Sequence, residues 1–343
     1  MELTERKKAV LSAIIKTFIE TGEPVGSKVL TELIDNAPSS ATLRNEMSEL
    51  CSLGFLEQPH TSAGRVPTNR ALKLYLNSLM PKALISESAK RFIDERISQI
   101  NCDPEHIPSM VGKIISDLTG LPAISCLVAK NEVTVKRIEI LPIGRNTRML
   151  LVITSDGRAR NKILRFGFDA DALLLDRFLE ICNKKIKNKE ISELNKPYMQ
   201  NIIAAAGIDL LALLPLFTAV FDLIEDIEKS AVDISGEPQL YNICADEDVA
   251  RRIISLIKRR DPIISLMNEI KEGVGVVFGS DTDFGEFFSD TIVAAHFGNN
   301  VYNGTLAVIG PKRISYEQVI PSIEYAAQKL NGLMCEALKD MED

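Results

Sequence analysis

Arg44 and Asn45 are neighbours in the segment Ser39-Ser40-Ala41-Thr42-Leu43-Arg44-Asn45-Glu46-Met47. An arginine guanidinium can donate two parallel hydrogen bonds to guanine O6 and N7. An asparagine amide pairs with adenine N6 and N7 in the same bidentate way, and Thr42 or Ala41 can pack against a thymine methyl. Leu43, Met47 and Leu50 recur at helical spacing. With those three inward, steps of about 100° per residue put Ala41, Asn45, Ser48 and Ser52 opposite, flanked by Thr42 and Arg44. Short polar side chains on such a face suit close approach to a major groove. Glu46 and Glu49 would be unfavourable beside phosphate, so they are expected to point toward the protein or along the helix. From the pattern alone, an amphipathic helix with a solvated face accounts for the same residues.

A second candidate stretch follows. No acid occurs between Glu57 and Glu87, whereas Arg65, Arg70, Lys73 and Lys82 do. Such a surface can lie beside phosphates. His60, between Pro59 and Thr61, can donate a hydrogen bond to DNA or simply face solvent.

Other chemistry finds little support. Gly273-Val274-Gly275-Val276-Val277-Phe278-Gly279 spaces its glycines as GxGxxxG and follows a helical pattern, whereas a dinucleotide fingerprint needs GxGxxG between strand and helix. Asp281 to Glu286 resembles a calcium loop, but its glycine arrives one position early. There is no phosphate loop and no nucleophile elbow. The three histidines, His60, His106 and His296, lie far apart. An HExxH site is excluded, no metal and no cofactor are expected, and no catalytic constellation suggests an enzyme. The six cysteines are scattered without a CxxC pair, as in a reduced cytoplasmic protein. Lys258-Arg259-Arg260, with Arg251 and Arg252, sits near a predicted helix C-terminus, where the macrodipole favours cations.

The elements that must position the first two groups can be read from the N-terminal eighty residues. Leu3, Val10, Leu11, Ile14, Ile15 and Phe18 predict a first helix ending at Thr21-Gly22-Glu23-Pro24. Ser27 caps a short second helix with Val29, Leu30, Leu33 and Ile34 inward. Ser39 or Ser40 caps the third, which Gly54 ends. A short strand at Phe55-Leu56-Glu57 and a return at Arg65-Val66-Pro67 form a hairpin, and Thr68 caps a fourth helix. This order is a helix-turn-helix with a wing.

Beyond it, strands are expected at Ala123 to Ala129, Val133 to Leu141, Met149 to Ser155 and Ala159 to Phe166. Helices are expected from Asp169 to Ser230 and from Glu247 to Ile270. Strands return at Gly273 to Phe278, Ile292 to Phe297 and Gly304 to Ile309, followed by a helix from Tyr316 to Leu338. Two strand groups separated by helices imply an α/β domain interrupted by a helical insertion. The net charge of -7 argues against a general polyanion binder, so any nucleic-acid site must be local. Ile202 to Phe221 is long enough for a bilayer but carries Asp209 and Pro215. The stretch is expected to form the interface that holds a dimer together, with ordinary core as the alternative, and no membrane partner is expected.

Three segments carry a resemblance. Glu20-Thr21-Gly22-Glu23-Pro24-Val25-Gly26-Ser27, Ser39 to Met47, and Leu53 to Thr68 closely resemble the heat-inducible transcription repressor HrcA family. Gly236-Glu237-Pro238-Gln239 and Gly304 to Tyr316 extend the likeness to the C-terminal part. Leu43 stands where that family more often has isoleucine, at a core position.

The resemblance implies an α+β multidomain chain: a winged helix (1–80), a helical connector (81–120), a GAF-like domain (121–166 and 240–343) and an inserted dimerisation domain (167–239). It implies a homodimer on an inverted-repeat operator of double-stranded DNA upstream of chaperone operons, with release governed by the chaperonin. The residues carried over to DNA contact are Ser39, Ser40, Ala41, Thr42, Arg44, Asn45 and Ser48 of the third helix, and His60, Thr61, Ser62 and Arg65 of the wing. The alternative is a regulator whose GAF-like domain senses a metabolite.

Overall fold

In the computed structural model, the residues described are 3–34, 38–60, 63–101, 103–129, 133–166, 172–206, 213–228, 231–243, 251, 254–255, 273–282, 291–298 and 302–339. The first helix, α1 (Glu5–Thr21), starts on the side chain of Thr4 and ends at Gly22, which adopts φ 73° and donates its N–H to Phe18 O. It buries Val10, Leu11, Ile14 and Ile15, the residues its spacing marks as inward. Next come α2 (Ser27–Leu33), α3 (Ser40–Ser52), β1 (Leu56–Glu57), β2 (Val66–Pro67) and α4 (Asn69–Leu74). A single π turn, Tyr75–Leu79, prolongs α4. The helix-turn-helix and hairpin order is as expected.

One detail differs. The seven-residue α2 buries only Leu30 of its apolar side chains, while Val29 is 44% and Leu33 57% exposed. So short a helix offers one inward row, and neither side chain falls on it.

The connector holds α5 (Glu87–Ile97) and α6 (Ile107–Thr119). Strands β3 (Ala123–Ala129), β7 (Ala231–Ser235), β8 (Val274–Phe278), β9 (Thr291–Gly298) and β10 (Tyr302–Gly310) form one antiparallel sheet in the order β7-β3-β10-β9-β8. The helices on it are α6 and a C-terminal helix, α11 (Tyr316–Lys339). This is the GAF-like α/β domain. A continuous apolar core joins it to the winged helix, from Leu11 and Tyr75 through Ile115 to Leu306 and Ile323.

The inserted unit begins earlier than expected. Strands β4 (Val135–Gly144), β5 (Thr147–Thr154) and β6 (Ala159–Arg165) form their own three-stranded sheet, with the expected tight turn at Gly157, φ 82°. They share a second core with α7 (Ala172–Lys185), α8 (Lys196–Ala206) and α9 (Leu214–Glu228). The boundary drawn at 166/167, which gave β4 to β6 to the GAF-like domain, therefore cuts through one core. The physical reason is non-local pairing: β3 takes its neighbours from β7 and β10, far along the chain. Strand β7 lies between the two expected helical stretches, where no strand is expected. The boundary at 239/240 misses it for the same reason, and the segment to its C-terminal side holds α10 (Glu237–Ile243). Most of the helix expected over Glu247 to Ile270 lies outside the described residues.

The described part of the long apolar stretch contributes to the core. Ile202, Leu213, Leu216, Phe217 and Val220 are buried against the three-stranded sheet and α7, where Phe217 meets Phe178 edge-on at 4.7 Å. Residues 207–212 lie outside the described ones. Among the described residues, no helix is long and apolar enough to cross a membrane.

Candidate nucleic-acid interface

Ser39 is the residue that caps α3. Its hydroxyl accepts from Thr42 N at 3.2 Å and lies 3.0 Å from Thr42 Oγ1. Such a cap satisfies an N–H that the first turn of a helix would leave unpaired. Ser40 Oγ lies 2.9 Å from Ser27 Oγ at the start of α2, pinning the two helices of the motif together. Of the seven α3-segment residues expected at DNA, three thus hold local structure: Ser39, Ser40 and Thr42. The other four, Ala41, Arg44, Asn45 and Ser48, are all exposed on one face. Ser48 Oγ donates to Arg44 O at 3.0 Å, which leaves its oxygen free to accept. Among the described residues, neither the Arg44 guanidinium nor the Asn45 amide has a protein partner.

The acids of the same helix are turned away from that face. Glu46 is 5% exposed and receives Arg6 of α1, whose Nε donates to Oε1 at 2.7 Å and whose Nη2 makes a second bond to the same oxygen. Glu49 pairs with Lys7 at 2.6 Å. Their mutual hydrogen bond holds Lys7 above and Glu49 below their ordinary values. Helix α1 therefore neutralises both carboxylates of α3 behind its outer face. That role for Arg6 and Lys7 was not legible in the sequence, because each lies some forty residues from its partner.

The wing pairs Leu56 with Pro67 and Glu57 with Val66. A further bridge adds the chain before α2, with Val25 and Arg65 exchanging backbone hydrogen bonds of 2.9 and 2.8 Å. A Cβ on Gly64 would lie 2.4 Å from Val25 O, so only glycine permits this close approach. His60 is exposed, and its carbonyl accepts from Ala63 N at 2.9 Å. Arg65 is only half-exposed, with Nη1 lying on the wing carbonyls of Ala63 and Gly64 at 3.4 and 3.3 Å. Thr61 and Ser62 lie outside the described residues.

The rest of the acid-free stretch is less available than its composition suggests. Arg70 lies over the Phe55 ring at 4.7 Å and donates to Leu53 O at 3.0 Å. Lys73 pairs with Asp281 at 2.7 Å. Conversely, Lys28 is exposed in the first turn of α2 and is a candidate that the sequence reading passed over. In helix-turn-helix docking, the helix before the recognition helix crosses the phosphate backbone.

The chain resembles known proteins along its length. Residues 2–79 match the family model described as winged helix-turn-helix transcription repressor, HrcA DNA-binding. Residues 105–320 match HrcA protein C terminal domain. The heat-inducible transcription repressor HrcA of Acholeplasma laidlawii is 33% identical over 352 residues, covering 96% of this chain and 97% of its own. That of Acetivibrio thermocellus is 29% identical over 340 residues, covering 96% of each. A crystal structure titled as a hypothetical protein superposes with TM-score 0.63 at 19% identity, covering 98% of this chain and all of that one, which shows a shared fold.

Proposed function

The chain belongs to the HrcA family of heat-inducible transcription repressors, and from that premise we propose that it represses heat-shock (chaperone) operons by sequence-specific binding to DNA. The single observation that carries this is the outer face of α3. Arg44 and Asn45 are presented there without protein partners, while Glu46 and Glu49 are held against α1. Arg44 reads a guanine and Asn45 an adenine. Lys28, His60 and the wing around Arg65 meet the backbone, which fixes register. Family membership does not point to an enzyme, and we assign no catalytic role. The partner is cytoplasmic double-stranded DNA.

We further propose that two copies act together on an inverted repeat, since each recognition helix must enter a major groove and two-fold protein symmetry mirrors operator symmetry. The buried residues of the apolar stretch are spent on the core of the inserted unit, so we place the interface elsewhere. The open face of the three-stranded sheet fits better: Leu141, Met149 and Ile163 stand in one row across β4, β5 and β6. Ile163 is 63% and nearby Ile143 52% exposed. Exposed apolar patches mark contact sites. Ile163→Glu is expected to yield soluble monomers by light scattering, and a dimeric variant would place the interface elsewhere. Release on heat stress through titration of the chaperonin rests on the family likeness. Operator footprinting with the purified chain, with and without chaperonin, tests the whole reading. Protection of an inverted repeat that strengthens with chaperonin supports it, and uniform protection of any duplex contradicts it.

A further inference from the structure

Helix α4 touches two things at once. On one side it grips the C-terminal end of the recognition helix. Thr68, its cap, donates Oγ1 to Gly54 O at 2.8 Å and Phe55 O at 3.1 Å, and Arg70 donates to Leu53 O at 3.0 Å. On the other side it meets the GAF-like domain. Asn69 and Lys73, four residues apart and therefore on one helix face, converge on a single carboxylate. Asn69 Nδ2 donates to Asp281 Oδ1 and to Ser280 Oγ, each at 2.7 Å, and Lys73 Nζ lies 2.7 Å from Asp281 Oδ2. Each oxygen of Asp281 thus holds one residue of α4. Asp281 ends the short turn Gly279–Asp281, which follows directly from β8, whose last residue Phe278 is buried in the common core. A second contact lies alongside: Glu317, in the first turn of α11, accepts from Tyr75 OH at 2.9 Å and pairs with Lys16 at 3.6 Å.

We propose that Asp281 is a positioning residue for operator binding, and that α4 is the clamp through which the GAF-like domain sets the direction of the recognition helix. The inference rests on the operator-binding reading and adds to it a named residue that touches no DNA. Two rigidly held recognition helices fit only one separation of half-sites. If the clamp opens, each winged helix keeps the common apolar core and the Glu317 contact but loses the contact that fixes the direction of α4. It still reads its own half-site, but tolerates other separations at a lower effective concentration.

The test uses the full chain and a duplex selected by that chain. Binding is measured to the selected operator, to one with the half-sites moved apart by about five base pairs, half a helical turn, and to a scrambled duplex. For the wild type the shift is expected to cost on the order of a hundredfold. Asp281→Lys should cut that penalty below about tenfold while preserving discrimination against the scrambled duplex. Asn69→Asp, which sets a like charge against Asp281 yet suits a helix N-terminus, should act in the same direction. The exchange Lys73→Asp with Asp281→Lys should restore the wild-type penalty, which a merely structural loss would not do. An Asp281→Lys chain with the full spacing penalty overturns the clamp, as does an exchange variant no stricter than the single one. A wild type that cannot tell operator from scrambled duplex would instead sink the repressor reading itself.

Discussion

Helices α3 and α4 stand on either side of the wing hairpin in the chain, and both carry an arginine beside an amide. On α3, Arg44 and Asn45 are exposed with no protein partner among the described residues. On α4, Asn69, Arg70 and Lys73 all hold protein partners. The same residue types therefore serve opposite ends: one pair is kept free for a ligand, the other is used to build. What separates them is the position of the acids. Those of α3 are drawn back by Arg6 and Lys7, whereas the acid facing α4 comes from another domain, at Asp281. A window without acids marks a basic surface only if no distant carboxylate folds onto it.

The sharpest way to break this contrast is to remove the reading side chain. Arg44→Ala is expected to cost about 1–3 kcal/mol on the operator and to relax choice at one base position per half-site. Equal loss on operator and random duplex, in parallel titrations, would make Arg44 a phosphate contact. Next comes the support behind α3. Arg6→Ala leaves Glu46 nearly buried without its cation, and its other oxygen already has no partner. A loss of about 1–3 kcal/mol in stability should follow, seen as a lower urea midpoint. An unchanged midpoint would show that the carboxylate turns out to water.

A smaller effect separates free from engaged cations. Lys28→Ala should reduce the slope of log affinity against log salt by about 1, whereas Lys73→Ala should leave it nearly unchanged. Equal slopes for the two variants would erase the distinction. Smallest is Arg65. Its guanidinium lies on wing carbonyls, so Arg65→Ala should weaken binding to all duplexes alike, with a slope change of no more than about 1. A loss confined to the operator would turn Arg65 into a base reader.

Much of the winged helix was legible because its signals are local. The stripe of Leu43, Met47 and Leu50, the cap at Ser39 and the stop at Gly54 each act within one or two turns, and all three appear where the spacing puts them. The outward set Ala41, Asn45 and Ser48 follows from the same periodicity. The misses are long-range. Ser40 meets Ser27 of α2, Lys73 meets a residue more than two hundred positions away, and β3 pairs with β7 and β10 rather than with the strand after it. Periodicity gives the face of an element but not the partner that covers it. The apolar run from Ile202 to Phe221 shows this plainly: its composition fits an interface or a core, and only the sheet of β4 to β6 decides for core in its described part.

The central claim is that the exposed face of α3 reads sequence. Selection of bound duplexes from a random pool, run in parallel with the wild type and with Arg44→Ala, tests it most directly. The wild type should enrich an inverted repeat, and the variant should enrich the same repeat with one base position in each half-site losing its preference. No enriched motif with the wild type, or an identical motif with both, would contradict it.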